Sequence, residues 1–328
     1  MIDIDNIQAI IEENIKDKVK PEHTEYEHFY RYVPSGELYP STTTRSSIIA
    51  MPYLKNWAAK LAVNHIEEEV SKGGLVDWDE LKEEAMNQHK EVLEDAGTIG
   101  TIGHDAIEDY LNAWIKNGEQ PENIIDFIQW EEGFEEDSRA YAIVRSAEKF
   151  INDYHVEPIA PELRVVNERY GYGGMLDLLA KAAEVEVEGD KECPSTNGAH
   201  NFMIYSRSRD IHECGHCGRR IRYYLTLIDW KTSNSVMKPK YAMQVASYWY
   251  ALKEMADIKP DKILIVQLDK SRMKYTVVKP THRPSAFKAF RDIGKVYNWL
   301  NDEDKKIEKV SQKKQIELFG SEDGMTEI

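Results

Sequence analysis

Cysteine is scarce in this chain, and long apolar runs are absent. Three of the 328 residues are cysteine, an odd number, which argues against a scaffold held together by disulfide bonds. The strand-like apolar run Ile263–Val266 is four residues long, and no apolar run approaches the roughly 20 residues that a membrane-spanning helix needs. The segment Met1–Asn6 lacks the basic and apolar parts of a signal peptide. We therefore expect a cytoplasmic protein without membrane contact.

An excess of positive charge is also absent. The formal net charge is −16, which argues against a protein that simply coats nucleic acid. The basic residues are unevenly placed, because five arginines lie between Ser206 and Arg222, against Asp210 and Glu213. A local basic patch in an acidic chain suits an enzyme that grips a polyanion at one groove. No Gly-x-x-x-x-Gly-Lys-Ser/Thr phosphate loop occurs, so no helicase motor of that type is expected.

The spacing of apolar residues predicts helices flanking a mixed central sheet, which is an α/β fold. The predicted helices are 47–70, 75–95, 101–114, 136–155, 240–255 and 284–300, after an amphipathic helix and an irregular aromatic-rich stretch within 1–35. Gly97, Gly100 and Gly103 are expected to interrupt the helical pattern, because glycine destabilises a helix interior. The predicted strands are 163–169, 175–181, 223–232, 262–268 and 273–278, the first two forming a hairpin through a turn at Gly171–Gly174.

These elements divide the chain into four parts. We expect a helical N-terminal region over 1–95 and a core over 96–300, with an insertion at 190–222 inside the core. The tail, 301–328, is charged and weakly patterned, and we expect disorder over 320–328.

A carboxylate–lysine constellation gives the sharpest indication of function. Asp229 and Lys231 are two residues apart on a predicted strand, so their side chains project to one face. Asp177 lies in the preceding strand, and if the two strands pair, the carboxylates converge where Mg²⁺ or Mn²⁺ can be held. Such an ion polarises a phosphate and activates water, and a lysine beside it stabilises developing charge. Taken alone, Asp-x-Lys is also common as a surface ion pair.

Five motifs in order resemble those of the PD-(D/E)xK nuclease superfamily, in its RecB-like, Cas4-like branch of phage-type exonucleases. They are Tyr39–Thr43, Gly100–Glu108, Gly173–Asp177, Asp229–Ser233 and Gln244–Tyr248. Thr42 stands where valine is common in that family. The resemblance covers about residues 38–255 and implies a restriction-endonuclease-like core that cleaves DNA with a divalent metal.

The resemblance also implies roles for single residues. Asp177, Asp229 and the Trp230 carbonyl would bind the metal ion, Lys231 would position the attacking water, and His104 would be a further ligand. For His104 the alternative is a satisfied core histidine.

Three more candidate site residues follow from the resemblance. Gln244 and Tyr248 are one helical turn apart, so they would contact DNA or orient the lysine; packing of their helix is the alternative. Glu162 lies where the family often carries an upstream acidic residue, and Glu168 competes for that position.

A second cluster predicts a structural zinc site. All three cysteines fall between Asp177 and Asp229, and a Cys-x-x-Cys followed by glycine is a zinc knuckle. The expected ligands are Cys193, His200, Cys214 and Cys217, with His212 or His216 as alternatives to His200. Thioredoxin-like chemistry lacks its usual sequence context here. The cysteines also lack the number and placement of the four that bind iron–sulfur clusters in some members of the superfamily.

Two interpretations of this zinc-binding insertion stay open. Its arginines could reach over the DNA backbone as a clamp, or the insertion could only stabilise an oversized hairpin loop.

The function expected from these features is exonuclease action on DNA ends in recombination, repair or replication. A structure- or sequence-specific endonuclease on the same fold is one alternative, because motifs set the chemistry and not the substrate topology. A catalytically silent DNA-binding subunit is another. In the tail, Gln315–Phe319 resembles the short Gln-x-x-Leu-Phe peptide of bacterial sliding-clamp partners, and docking of the tail onto the core is the competing interpretation.

Overall fold

The computed structural model describes residues 2–24, 27–49, 52–73, 76–183, 193–196, 200–233 and 238–319. Its helices in these ranges are α1 (Ile4–Asn14), α2 (Thr42–Ser46), α3 (Pro52–Ser71), α4 (Trp78–Asn117), α5 (Ser138–Asp153), α6 (Lys238–Ala256) and α7 (Arg283–Phe319). Its strands are β1 (Val19–His23), β2 (His28–Tyr32), β3 (Leu38–Pro40), β4 (Glu157–Asn167), β5 (Tyr172–Ala183), β6 (Phe202–Ser206), β7 (Ile211–Cys214), β8 (Arg220–Lys231), β9 (Lys262–Leu268) and β10 (Tyr275–Val278).

The central sheet follows the order β10-β9-β8-β5-β4, and β7 and β6 extend it from the start of β8. β8 and β9 run parallel, whereas the other neighbours are antiparallel. A parallel pair needs a long crossover, and α6 lies within the connection between β8 and β9. Helices pack on both faces of the sheet. The predicted α/β class, a mixed sheet flanked by helices, is therefore confirmed.

Alternation along β8 divides its side chains between two cores. Trp230 is buried with residues of α4 and α5, whereas Leu225 and Leu227 are buried on the other face with α1, α6 and α7. Full burial of a side chain of this size contributes about 1.5–3 kcal/mol. The same alternation puts Asp229 and Lys231 on the face of the two leucines, as predicted.

Residues 19–40 form a second, three-stranded antiparallel sheet, β1-β2-β3. The prediction of an irregular stretch and a helical N-terminal region over 1–95 is wrong for this segment. Its tertiary contacts explain the difference. A Cβ on Gly173 of β5 would lie 2.6 Å from the Cβ of Tyr30 in β2, and Ser41, which follows β3, bridges to Gly173. The small sheet is therefore anchored on β5.

Helix α4 runs unbroken through all three glycines that were expected to interrupt it, so this prediction is wrong. The predicted boundary between 95 and 96 also falls inside the helix. Close packing gives the reason: a Cβ on Gly103 would stand 2.6 Å from Ile143 Cγ2 of α5, and one on Gly100 would stand 3.0 Å from Thr232 Oγ1. These two glycines let the helix approach its neighbours, and tertiary contact outweighs the low helix propensity of glycine.

The predicted hairpin is confirmed as β4 and β5, which pair antiparallel. Its turn covers 168–171 and not Gly171–Gly174, because Gly173 and Gly174 already lie in β5. Only Gly171, with φ of 63°, has a left-handed backbone here, and that conformation favours glycine.

The last helix extends well past its predicted end at residue 300. Helix α7 continues through Phe319, so the charged, weakly patterned stretch from 301 to 319 has a helical backbone. The backbone at Gln315–Phe319 is helical, and its assignment as a clamp-binding peptide stays a prediction. The expected disorder over 320–328 concerns residues outside the described part of the chain. Within the described ranges, no helix has an apolar stretch that could cross a bilayer.

Candidate functional site

Three neighbouring strands bring three predicted site carboxylates side by side. In the pairing of β4 with β5, Pro161 lies opposite Leu178 and Leu163 opposite Leu176, which puts Glu162 opposite Asp177. The antiparallel ladder of β5 and β8 ends beside Asp177 and Asp229.

A hydrogen bond fixes the orientation of one of these carboxylates. The Trp230 N–H donates to Asp177 Oδ2 at 2.6 Å. Burial raises the pKa of Asp177, although the Lys231 charge and this hydrogen bond oppose the shift. The backbone of Trp230 therefore contacts the site through its N–H group. The role of its carbonyl oxygen as a metal ligand stays a prediction.

Asp229 is fully buried and forms an ion pair with Lys231. Its Oδ2 lies 2.7 Å from Lys231 Nζ, whereas its Oδ1 has no hydrogen-bond partner among the described residues. Burial raises the pKa of Asp229 to about 6 against the opposing charge of Lys231. Burial would by itself lower the pKa of Lys231, but the charges of Asp229 and Asp177 outweigh it and raise that pKa. A buried carboxylate with an unused oxygen favours a further cation.

His104 of α4 lies near Asp229 and Lys231. Burial and then the charge of Lys231 lower the pKa of His104 to about 4. The imidazole is therefore neutral at pH 7, which is the form that binds metal ions. It opens onto a cleft of about 410 Å³, which is lined by Ala96, Gly97, Gly100, Thr101, His104, Asp105, Glu162 and Thr232.

Glu162 occupies the site, and Glu168 does not. Glu168 is exposed in the turn at 168–171, whereas Glu162 lines both the cleft beside His104 and a larger cavity of about 730 Å³ next to α1. Its backbone has φ of 41°, which is uncommon for a residue other than glycine and tends to persist at functional positions. Burial, and then the neighbouring charge of Glu108, raises the pKa of Glu162 to about 8.

Glu108 is a site residue that the sequence reasoning missed. It lies one helical turn after His104 on α4, and its side chain forms a hydrogen bond with Glu162. Asn112 Nδ2 donates to Glu108 Oε1 at 3.3 Å. The i,i+4 spacing from His104 was the available signal, because residues four apart share a helix face.

Helix α6 closes the other side of the site. Gln244 Nε2 donates to Tyr248 Oη at 2.8 Å, so the two side chains face the same way, as predicted. A Cβ on Gly174 would stand 2.5 Å from Tyr248 Cε1, so this glycine makes room for the ring. Burial, and then the charge of Asp229, holds the pKa of Tyr248 well above its usual value. The tyrosine therefore remains a neutral hydroxyl beside the carboxylates.

Residues of the early motif Tyr39–Thr43 form hydrogen bonds with the elements around the site. Ser41 caps α2, its side chain accepting a hydrogen bond from the Thr44 N–H. The buried hydroxyl of Thr42 donates to the Gly173 carbonyl at 3.2 Å and lies 3.0 Å from Ser247 Oγ. The first motif therefore connects β5 to α6 at the site.

The donors near Asp229 suit a hard divalent ion by chemistry, since they are carboxylate oxygens and a neutral imidazole nitrogen. They are not gathered as tightly as in a closed site. Among the described residues, the one group of at least three His, Cys, Asp or Glu side chains that could hold a metal ion is the cysteine–histidine cluster, whose donor atoms all lie within 4.8 Å of one another.

That cluster consists of Cys193, His200, Cys214 and Cys217, the four ligands predicted from the sequence. Cys193 Sγ lies 3.9 Å from Cys214 Sγ, and Cys217 Sγ lies 3.4 Å from His200 Nδ1. Burial alone would raise the pKa of the Cys214 thiol. Backbone N–H groups of the Cys214–Cys217 turn and the His200 ring outweigh burial and lower this pKa to about 5. Three thiolates and one imidazole can hold a metal ion such as zinc.

Neither alternative histidine belongs to this cluster. His212 Nε2 lies 3.1 Å from Asp210 Oδ1, and its ring contacts Tyr223 edge-on. His216 is exposed in the turn between Cys214 and Cys217. His200 is therefore the fourth member of the site.

The two centres lie at opposite ends of β8. The cysteine–histidine cluster adjoins the start of the strand at Arg220, and Asp229 is nine residues further along it. At about 3.3 Å per residue, that separation is roughly 30 Å.

No protein-family model matches the sequence, and no curated protein shows a significant similarity to it.

Proposed function

We propose that this protein is a metal-dependent deoxyribonuclease with a PD-(D/E)xK-type, restriction-endonuclease-like core. The observation that carries the proposal is the buried Asp229 carboxylate, which forms an ion pair with Lys231 through Oδ2, leaves Oδ1 without a hydrogen-bond partner among the described residues and lies beside Asp177. Burying a charge without full compensation destabilises a fold, so such a carboxylate points to a bound cation.

Each residue has a defined task in the proposed reaction. Asp177, Asp229 and His104 would hold Mg²⁺ or Mn²⁺, and the ion would neutralise the phosphate and lower the pKa of a bound water. Lys231 keeps its proton, because the adjacent carboxylates raise its pKa, and its ammonium group can orient the water and stabilise charge on the phosphate. Glu162, whose pKa is raised to about 8, can exchange a proton near neutral pH.

The substrate is proposed to be DNA, cleaved from an end. The family resemblance favours an exonuclease, and Glu162 lines both the open cleft and a second cavity, which together offer room for a polymer. A silent DNA-binding subunit is disfavoured because the two aspartates and the lysine are all present and adjacent.

The experiment compares end-labelled linear duplex DNA with closed circular DNA, in Mg²⁺ or Mn²⁺. An exonuclease degrades the linear DNA and spares the circle, whereas an endonuclease nicks the circle. Lys231→Ala should abolish cleavage, and Lys274→Ala, an exposed lysine outside the site, should not. Equal cleavage by wild type and Lys231→Ala would refute the assignment.

We also infer that the cysteine–histidine cluster holds zinc. The four donors within 4.8 Å of one another support a closed structural site, distinct from the carboxylate centre.

A further inference from the structure

Cations and aromatic rings alternate across one face of the sheet near the cysteine–histidine cluster. The Arg220 guanidinium lies 3.7 Å from the centre of the Tyr205 ring. The Arg222 guanidinium and Lys262 Nζ lie 4.9 Å and 4.4 Å from the centre of the Tyr224 ring. We call these five residues, from β6, β8 and β9, the cation–aromatic strip.

Strand pairing explains why these side chains share a face. Alternation along β8 leaves Arg220 and Arg222 exposed and buries Ile221 and Tyr223 between them. Strands β6 and β7 continue the sheet beyond β8 in an antiparallel register. Tyr205 lies at the irregularity between Ile204 and Ser206 of β6, and its ring contacts Arg220 there.

The outer strand, β6, has three consecutive apolar or aromatic residues with exposed side chains. In β6, Met203, Ile204 and Tyr205 are 56%, 48% and 54% exposed, and among the described strands β6 pairs only with β7. Adjacent exposed apolar residues on a sheet edge indicate a binding surface.

The charge of the segment Ser206–Arg222 indicates what it binds. Both acids of this segment have partners within the protein. Asp210 is buried and accepts a hydrogen bond from the Ile2 N–H at 2.7 Å, and Glu213 forms an ion pair with Arg220. Five arginines lie in the same segment of a chain with net charge −16. A polyanion is therefore the ligand that the surface complements.

We propose that the cation–aromatic strip binds single-stranded nucleic acid. Unpaired bases stack on tyrosine rings and guanidinium planes, while arginine and lysine neutralise the phosphates. A duplex hides its base faces and offers nothing to stack on Tyr205. The inference rests on the proposed function in taking DNA as the polymer.

The strip is a second surface, apart from the cleft. Arg220 lies roughly 30 Å from Asp229 along β8, and alternation turns its side chain to the opposite face. Even at the duplex spacing of about 3.4 Å per phosphate, a strand of about 20 nucleotides is longer than that distance and can reach both surfaces.

The test measures binding of a long single strand, fluorescent oligo-dT of about 20 nucleotides, and of duplex DNA of the same length to the zinc-loaded full chain. Lys231→Ala serves as the parent, so that the DNA stays intact. The Tyr205→Ala and Arg222→Ala double variant should bind the long strand at least about tenfold more weakly, because it loses a stacking ring and a phosphate contact. Arg169→Ala is the matched control, since Arg169 also lies over a tyrosine, Tyr170, at 5.3 Å but outside the strip. Circular dichroism and zinc content establish that each variant is folded.

Two results would overturn the inference. The double variant could bind the long strand as tightly as its parent, or it could lose affinity for duplex DNA as much as for the single strand, which would make the surface a general phosphate contact. Cleavage by wild type is measured separately. If wild type cuts no DNA but the strip variant loses single-strand binding, the nuclease proposal fails and the single-strand binding proposal stands. If wild type cuts DNA but the strip variant keeps its single-strand affinity, only the single-strand binding proposal fails.

Discussion

Asp177 Oδ2 accepts the backbone N–H of Trp230 at 2.6 Å, which connects a candidate metal ligand on β5 to the residue between Asp229 and Lys231 on β8. The bond sets the direction of the Asp177 carboxylate through the main chain of the neighbouring strand. A site built on paired strands holds its ligands more firmly than one built on loops.

Asp177→Asn should separate catalysis from stability. In this variant the new amide oxygen can still accept from Trp230 and Lys231 keeps its ion pair with Asp229, so the fold persists and the melting temperature should change little. DNA cleavage should fall by at least about 10²-fold, because a charge that binds the metal ion is lost. Thermal unfolding and rates on linear DNA measure both effects. A variant that keeps wild-type cleavage would contradict the proposed site.

His104→Ala should lower cleavage and increase the requirement for Mn²⁺ over Mg²⁺. One nitrogen ligand is lost while the carboxylates remain, and Mn²⁺ binds a depleted site more readily than Mg²⁺ does. Titrating activity with each ion measures the change. His89→Ala, on the same helix but 15 residues away, provides the control. Parallel loss of activity in both ions, with unchanged apparent affinity, would argue for a packing role of His104.

Glu162→Gly should stabilise the protein while lowering its activity. Glycine accepts the φ of 41° without strain, and the change removes a carboxyl group from beside Glu108 and Asp177. We expect a gain of about 1 kcal/mol in the free energy of unfolding. Denaturant unfolding, with Glu162→Gln as the variant that keeps the backbone strain, separates the two contributions. A destabilised Glu162→Gly would mean that the side chain holds β4 in place.

The cysteine–histidine cluster should carry about one zinc ion per chain. Cys214→Ser should release the metal and lower the melting temperature, because metal binding to such a site contributes folding free energy. Cleavage of short DNA should be largely retained, since the carboxylate centre is roughly 30 Å away. Elemental analysis of the purified protein measures the zinc. Finding no zinc, or finding iron with visible absorbance, would refute the assignment.

Gly103→Ala and Gly97→Ala should change stability in opposite directions. A Cβ on Gly103 would clash with Ile143 Cγ2 at 2.6 Å, whereas a Cβ on Gly97 meets no atom within 4 Å. Overpacking should cost Gly103→Ala about 1–3 kcal/mol, and the better helix propensity should stabilise Gly97→Ala by about 0.5–1 kcal/mol. Denaturant unfolding of the pair measures both. Equal effects would mean that α4 does not pack on α5 through Gly103.

The sequence by itself determined what depends on local spacing. The alternation in Asp229-x-Lys231 put both side chains on one face, the helical repeat put Gln244 beside Tyr248, and the Cys-x-x-Cys turn with two upstream residues identified all four members of the cluster. These relationships hold within one element or one short turn, where backbone geometry alone sets the neighbours.

Only the tertiary structure decided what depends on distant packing. Two of the glycines expected to break the helix became contact points of α4 with Ile143 and Thr232, because packing outweighs a propensity of about 1 kcal/mol per residue. The choice of Glu162 over Glu168 followed from the register of β4 and β5, and Glu108 entered the site because α4 lies across that strand end. Register and packing between elements far apart in the chain depend on which surfaces are buried against each other. Local periodicity in the sequence does not specify that choice.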